Sequence, residues 1–365
     1  MEKLKNWATI AVFALLIFGL VIAHVIIPDA THSLSERREL SKFPAITADS
    51  VFSGDWGTDF EEYLLDHFPG RDGFRTVKAI LRYKLLAQKD NNKVFLVGDG
   101  IFKMEYPLNE NQVVYAAQKF NWIYEKYLQG MRVFYSVIPD KNYFAAAQNG
   151  YPALDYDRLY QLMNDNVQNM TYADIRDCLT LSDFYRTDTH WRQECLGKVM
   201  EVLAKTMGFS DLLLSMDSFE QHKLSPFKGV YYGQAAMPLK ADDLVYLTHS
   251  LMANAQTSVQ MQEGFPIYAT DKFEGMDGYD VFLSGAQSFV EITNPDALTD
   301  KELIIFRDSF GSSIAPLFVP YYAKVTLVDI RYTPSSMLDK NIEFADQDVL
   351  FLYSTLVLNN GMVLK

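Results

Sequence analysis

Three apolar runs near the C-terminus constrain this chain more than any other feature. "ELIIF" at 302–306, "KVTLVDI" at 324–330 and "DVLFLYST" at 348–355 are barely interrupted by polar residues. The stretches between them, 311–322 and 335–344, read as helices. A strand that faces water on one side alternates apolar with polar residues, whereas a continuously apolar strand is covered on both faces. The pattern therefore predicts an α/β fold: a parallel sheet with helices on both faces. In such sheets ligands bind beyond the carboxyl ends of the strands. Ser309 stands there, three residues past Phe306 and at the start of a helix.

A strand-end hydroxyl becomes a nucleophile when a base takes its proton and a third group orients that base. "YRTDTHWR" holds both, Asp188 and His190, within three residues. At i and i+2 on an extended or turn segment, the carboxylate reaches imidazole Nδ1 and leaves Nε2 facing the hydroxyl. Ser309, His190 and Asp188 are thus the catalytic candidates. The N–H groups of residues 309 to 311, with Phe310 and Gly311 among them, are candidates for holding an oxyanion. Gly311 also permits close approach of substrate or backbone. Three more residues join the oxyanion or substrate side: Lys141 after the strand-like "RVFYSVIP", Gly285 in "FLSGAQSF", and Arg307 beside Asp308. The plainer alternatives are that Asp308 or Ser309 caps one helix, that Asp188 caps another, that Lys141 is solvated, and that Gly285 marks a turn.

The N-terminal end carries a different constraint. Residues 7–27 include no acid or base other than His24, and Lys3 and Lys5 precede them. Twenty-one residues at ~1.5 Å each are enough to cross ~30 Å of hydrocarbon. The run exceeds a signal-peptide core and no A-x-A site follows it, so an uncleaved anchor is expected over 1–28. By the positive-inside tendency its N-terminus is cytoplasmic and the rest lies outside. The polar segment 29–55 reads as a stalk and 56–365 as the body, in which the poorly periodic 210–275, with short strands such as "GVYYGQ" and "DLVYLTH", reads as an inserted lobe.

The formal net charge of −13 and the lack of a basic cluster argue against nucleic acid as a partner. With no CxxC or HExxH spacing, neither a metal nor a cofactor is expected. Cys178 and Cys195 flank the Asp188/His190 segment; outside the cell they either pair or remain two thiols.

Several segments together resemble the DHHW-type proteins. They are "ERRELSKFP" (36–44), "DHFPGRDGFR" (66–75), "FYRTDTHW" (184–191), "FRDSFGSSIAPLF" (306–318), "VDIRY" (328–332) and "DVLFLYS" (348–354). Thr189 stands where the family name has a second His. That family is distantly similar to alginate-type exopolysaccharide O-acetyltransferases with SGNH-hydrolase-like cores, which implies a flavodoxin-like three-layer arrangement of the parallel sheet and its helices. The resemblance implies Ser309 as nucleophile, His190 as general base and Asp188 as its orienting carboxylate, in an order permuted from ordinary SGNH esterases. At the oxyanion hole Gly285 is accompanied by Gln287, where relatives favour Asn. The implied function is a membrane-anchored, extracytoplasmic O-acetyltransferase acting on a cell-surface or secreted polysaccharide, partnered by a multi-span membrane O-acyltransferase that delivers acetyl groups. An O-acetylesterase and a non-catalytic scaffold or polysaccharide-binding subunit are the alternatives.

Overall fold

The computed structural model describes residues 2–365 and divides into two compact units. The first comprises 1–91 with 233–238, and the second comprises 92–232 with 239–365.

The first unit begins with helix α1 (Glu2–Ile26), whose side chains are almost all exposed. Among the described residues it is the one helix long and apolar enough to cross a membrane, and a signal sequence has the same character. Helices α2 (Asp55–Asp66) and α3 (Arg71–Ile80) follow, broken where the Pro69–Gly70 pair predicts, with Gly70 in the left-handed region at φ +72°. The stretch expected to be a stalk contains a short helix, Ala48–Ser53, and a strand pair, His32–Ser33 with Arg38–Glu39.

The "ERREL" and "DHFPGRDGFR" segments meet in this unit. Asp66 is buried and accepts from both guanidinium nitrogens of Arg38 and, at 2.9 Å, from the Ser41 N–H. Glu36 pairs with Arg71 at 2.7 Å and Arg75 at 3.6 Å, and Arg75 also donates to the Gly233 carbonyl at 2.8 Å. The Arg38 hydrogen bonds hold the Asp66 carboxyl well below the usual carboxylate range.

The second unit is built on an eight-stranded sheet. In chain order its strands are β1 (Val133–Ile138), β2 (Thr171–Tyr172), β3 (Gln256–Val259), β4 (Gln262–Phe265), β5 (Phe289–Thr293), β6 (Glu302–Arg307), β7 (Lys324–Val328) and β8 (Asp348–Ser354). Their spatial order is β4-β3-β5-β7-β6-β8-β1-β2. The run β7-β6-β8-β1-β2 is parallel, and the run β4-β3-β5-β7 is antiparallel. The sheet is therefore mixed, not wholly parallel. The apolar runs identify its centre, and hairpin-linked β3 and β4 extend one side. Those two strands come from the region expected to be a separate lobe, and the compact unit that holds the sheet starts at Asn92 rather than near Trp56.

Alternate residues of β6 serve opposite faces. Leu303 and Ile305 join α6 (Gly197–Met207) and α7 (Phe310–Ile314) in one core; Ile304 and Phe306 join α4 (Glu110–Ile123) and α5 (Tyr156–Asn166) in the other. Burying one such side chain contributes about 1.5–3 kcal/mol. The strand predicted at "GVYYGQ" is instead a short helix, Val230–Ala235.

Asp66→Asn is expected to destabilise the first unit by about 1 kcal/mol, because half-open Arg38 weakens the pair relative to a fully buried one. An ionised group with a depressed folded-state pKa stabilises above its unfolded pKa, about 4, and that contribution is lost as pH falls below it. Thermal unfolding should show the wild-type advantage at pH 7 and its shrinkage towards pH 3.

Candidate active site

Two strand ends and one long turn bring the candidate residues together. At the end of β6 the chain turns through Asp308 into α7. Asp308 is buried; one carboxylate oxygen accepts from the Ser354 N–H at 2.8 Å and hydroxyl at 2.6 Å, and the other accepts from the Phe310 N–H at 3.0 Å. This ties the turn that carries Ser309 to the neighbouring strand β8. The carboxyl end of β1 is fixed in the same way. Asp140 accepts from the hydroxyls of Thr355 and Tyr156, each at 2.8 Å, and burial pushes its carboxyl pKa up against those bonds.

Asp188 and His190 lie on the turn between the bridged residues Phe184 and Trp191. The Asp188 carboxylate accepts from His190 Nδ1 at 2.6 Å and from the His190 backbone N–H at 3.0 Å. Its second oxygen accepts from the Val230 N–H at 2.6 Å. His190 Nε2 stands 2.8 Å from Ser309 Oγ. The structure thus brings Asp188, His190 and Ser309 into one hydrogen-bonded line. Asp188 is wholly buried, His190 nearly so, and Ser309 keeps partial access to solvent.

The imidazole is held on its flat side as well. Tyr279 stacks on it at 3.8 Å between ring centroids, with 5° between the planes. The Tyr279 hydroxyl donates to Ser313 in α7 at 2.8 Å, and burial holds its phenol in the protonated form, well above its ordinary pKa. Trp191 Nε1 reaches the same Ser313 at 2.9 Å. Trp191 is therefore core, a tie between the His190 turn and α7.

The structure separates the remaining candidates from the line. The Phe310 N–H is bonded to the Asp308 carboxylate and the Gly311 N–H to the Asp308 carbonyl at 3.0 Å, so neither is an orphan donor to an oxyanion. Gly311 is needed for a different reason: a Cβ there would come within 2.5 Å of Arg307 Cβ. Arg307 itself is 0% exposed. It donates to the carbonyls of Asp308 at 3.4 Å and Gln287 at 3.3 Å, and burial lowers its pKa. Gly285 sits at φ +86°, where a Cβ would collide with the Asp280 carboxylate, so its role is the turn. Lys141 does not reach a cleft beside Ser309. It is buried and donates to the carbonyls of Tyr185, Arg186 and Asp188 at 2.8, 3.0 and 3.0 Å. Burial pushes its ammonium pKa down to about 7, against the pull of Asp188, Asp242 and Asp140. Cys178 and Cys195 are free thiols.

The sequence reading missed three contributors. Tyr279 and Val230 lie far from His190 in sequence, and neither carries a motif. Gly229 is the third: a Cβ on it would lie 2.5 Å from the Thr187 carbonyl and 2.6 Å from Asp188 Cα. A glycine two positions before a run of aromatics was the one visible trace.

The family model for DHHW proteins matches residues 142–328, which contain Asp188, His190 and Ser309. This chain belongs to the DHHW protein family. No curated protein gives a significant match. Among solved structures, a DHHW family protein from Eubacterium siraeum is similar at a TM-score of 0.62 and 19% identity, covering 75% of this chain and 95% of that one. Bacillus cereus PatB1 is similar at a TM-score of 0.58 and 14% identity, covering 75% of this chain and 100% of that one. A second PatB1 structure, with a sulfonyl adduct, is similar at a TM-score of 0.57 and 13% identity, over 73% of this chain and 95% of that one. At these identities the likeness shows a shared fold.

Gly229→Ala is expected to displace the Asp188 turn. Overpacking of this kind costs about 1–3 kcal/mol. The variant should unfold at lower temperature and show exchange-broadened His190 ring signals by NMR, whereas Gly57→Ala, exposed on α2 with nothing within 4 Å of the added methyl, should leave those ring signals sharp.

Proposed function

We propose that this DHHW protein is a serine-type O-acyltransferase that moves acetyl groups onto polysaccharide hydroxyls outside the cell, held to the membrane by α1 with its N-terminus cytoplasmic. The observation that carries the reading is the continuous hydrogen-bonded line from Asp188 through His190 to Ser309, with Nε2 2.8 Å from Oγ. Support for acetyl transfer to a glycan comes from the resemblance of the sequence motifs to polysaccharide-modifying relatives. A run of apolar residues long enough to span a membrane supports the anchor.

In this mechanism His190 Nε2 takes the Ser309 proton as Oγ attacks the acetyl carbonyl carbon. The carbonyl π bond breaks and its electrons become the oxyanion. Asp188, ionised and facing Nδ1–H, stabilises the imidazolium. The Ser309 N–H, the member of the 309–311 set outside the Asp308 bonds, faces the forming oxyanion. Collapse expels the donor's oxygen, which takes the proton from Nε2, and leaves acetyl-Ser309. A sugar hydroxyl then gives its proton to Nε2 and attacks the acetyl carbon. When that second tetrahedral adduct collapses, Ser309 Oγ leaves and recovers the proton. The acetyl donor is supplied by a multi-span membrane O-acyltransferase, and no step uses a metal or cofactor.

Purified ectodomain incubated with a chromogenic acetyl ester, with and without an oligosaccharide acceptor, tests the reading. Acetylated oligosaccharide should form with the wild type and not with Ser309→Ala. Asp188→Asn should lower the rate by roughly 10⁴-fold through the wrong imidazole tautomer. Ester cleavage that is indifferent to the acceptor would identify an esterase instead. Undiminished transfer by Ser309→Ala would end the proposal.

A further inference from the structure

Lys141 is an unusual use of a charged side chain. The residue is 2% exposed, and its ammonium sits beneath the turn that carries Asp188 and His190. An ammonium has three hydrogens. Here they meet three acceptors, all backbone carbonyls of one turn: Tyr185, Arg186 and Asp188. The Phe102 ring lies 4.6 Å from Nζ and closes another side. With every hydrogen taken, the group has none left for substrate.

Its own backbone is equally fixed. Asp140, the preceding residue, is bound to Thr355, and Asn142, the following one, donates its N–H to Asp140 at 2.8 Å and its side-chain amide to the Lys103 carbonyl at 2.8 Å. The lysine is thus a rigid post rising from the end of β1. The turn it holds also receives lateral ties. Asp242 accepts from the Thr187 N–H at 2.8 Å and from the Arg186 Nε at 3.0 Å, and Ile101 donates to the Arg186 carbonyl at 2.8 Å. Those bonds fix Arg186 and Thr187. Of the three lysine bonds, the one to the Asp188 carbonyl acts on the residue whose carboxylate orients His190.

From this geometry, and resting on the triad reading above, we propose that Lys141 is a positioning residue: its ammonium gathers the Tyr185, Arg186 and Asp188 carbonyls and thereby sets where the Asp188 carboxylate meets His190. In its protonated form the side chain serves as a three-pronged hydrogen-bond donor. A neutral side chain of the same length has no means of converging on three carbonyls.

The test uses Ser309 as a reporter. A small aryl sulfonyl fluoride reacts when Oγ forms the S–O bond, fluoride leaves, and the hydroxyl proton passes to His190. Lys141→Ala removes three methylenes and the ammonium, a group matched by propylammonium. A cavity of about 680 Å³, walled by Lys141, Phe102, Tyr185, Arg186 and Asp242 among others, gives the added amine a route to the vacated place. Displacement of a catalytic group by an ångström costs on the order of 10²-fold. The full-length protein in detergent should therefore label roughly 10–100-fold more slowly as Lys141→Ala, with an unchanged half-saturating reagent concentration. Propylammonium should restore most of the rate, and tetramethylammonium, which has no N–H, should not. Amide hydrogen exchange over 185–190 should quicken in the variant and slow again with propylammonium.

Labelling of Lys141→Ala at the wild-type rate would overturn the proposal, as would slow labelling that propylammonium leaves unchanged. Ser309→Ala separates the two ideas. If that variant labels as fast as the wild type, the nucleophile assignment fails, while exchange over 185–190 still decides whether Lys141 holds the turn.

Discussion

Two adjacent residues at the end of β8, Ser354 and Thr355, hold the carboxylates on which the site is built. Ser354 binds Asp308 and Thr355 binds Asp140, and all four are almost fully buried. A buried carboxylate without partners costs several kcal/mol, so these side chains have little freedom to move without losing their bonds. Strand pairing sets β6 and β1 on either side of β8, and the Ser-Thr pair carries that regularity one residue past the sheet. Ser309 and Lys141 follow the two carboxylates directly. The positions of Ser309 and of Lys141 therefore derive from one strand.

Above this base the site is closed by packing rather than by charge. The flat contact with Tyr279 limits rotation of the His190 ring, and the bond to Asp188 selects Nδ1 as the protonated nitrogen. Trp191 and Tyr279 both converge on Ser313, so the His190 turn and the helix that follows Ser309 share one anchor.

The elements legible in the sequence were those with strong periodicity or unbroken hydrophobicity. The four long parallel strands and the pairing of Asp188 with His190 came from local pattern, since i and i+2 on a turn leave few other geometries. What stayed hidden depended on distant neighbours. "GVYYGQ" has the β-branched and aromatic residues of a strand, yet the Val230 N–H bonds Asp188 and the Tyr231 N–H bonds Thr187, and those bonds start a helix. Phe310 and Gly311 looked like open donors because nothing local reveals that the Asp308 carboxylate and carbonyl turn back onto them. Lys141 and Arg307 read as substrate ligands because long cations are ordinarily exposed. Both are instead buried against backbone carbonyls. The antiparallel half of the sheet was missed because β3 and β4 are short and carry polar residues.

The contact between Val230 and Asp188 couples the carboxylate to a segment some forty residues beyond it in the chain. The peptide between 190 and 229 packs α6 into one of the cores and then returns a glycine, followed by the Val230 N–H, to that one spot. Grafting the Asp-x-His turn alone would transplant His190 without the third donor to the Asp188 carboxylate, and the smallest portable unit includes both ends of that loop.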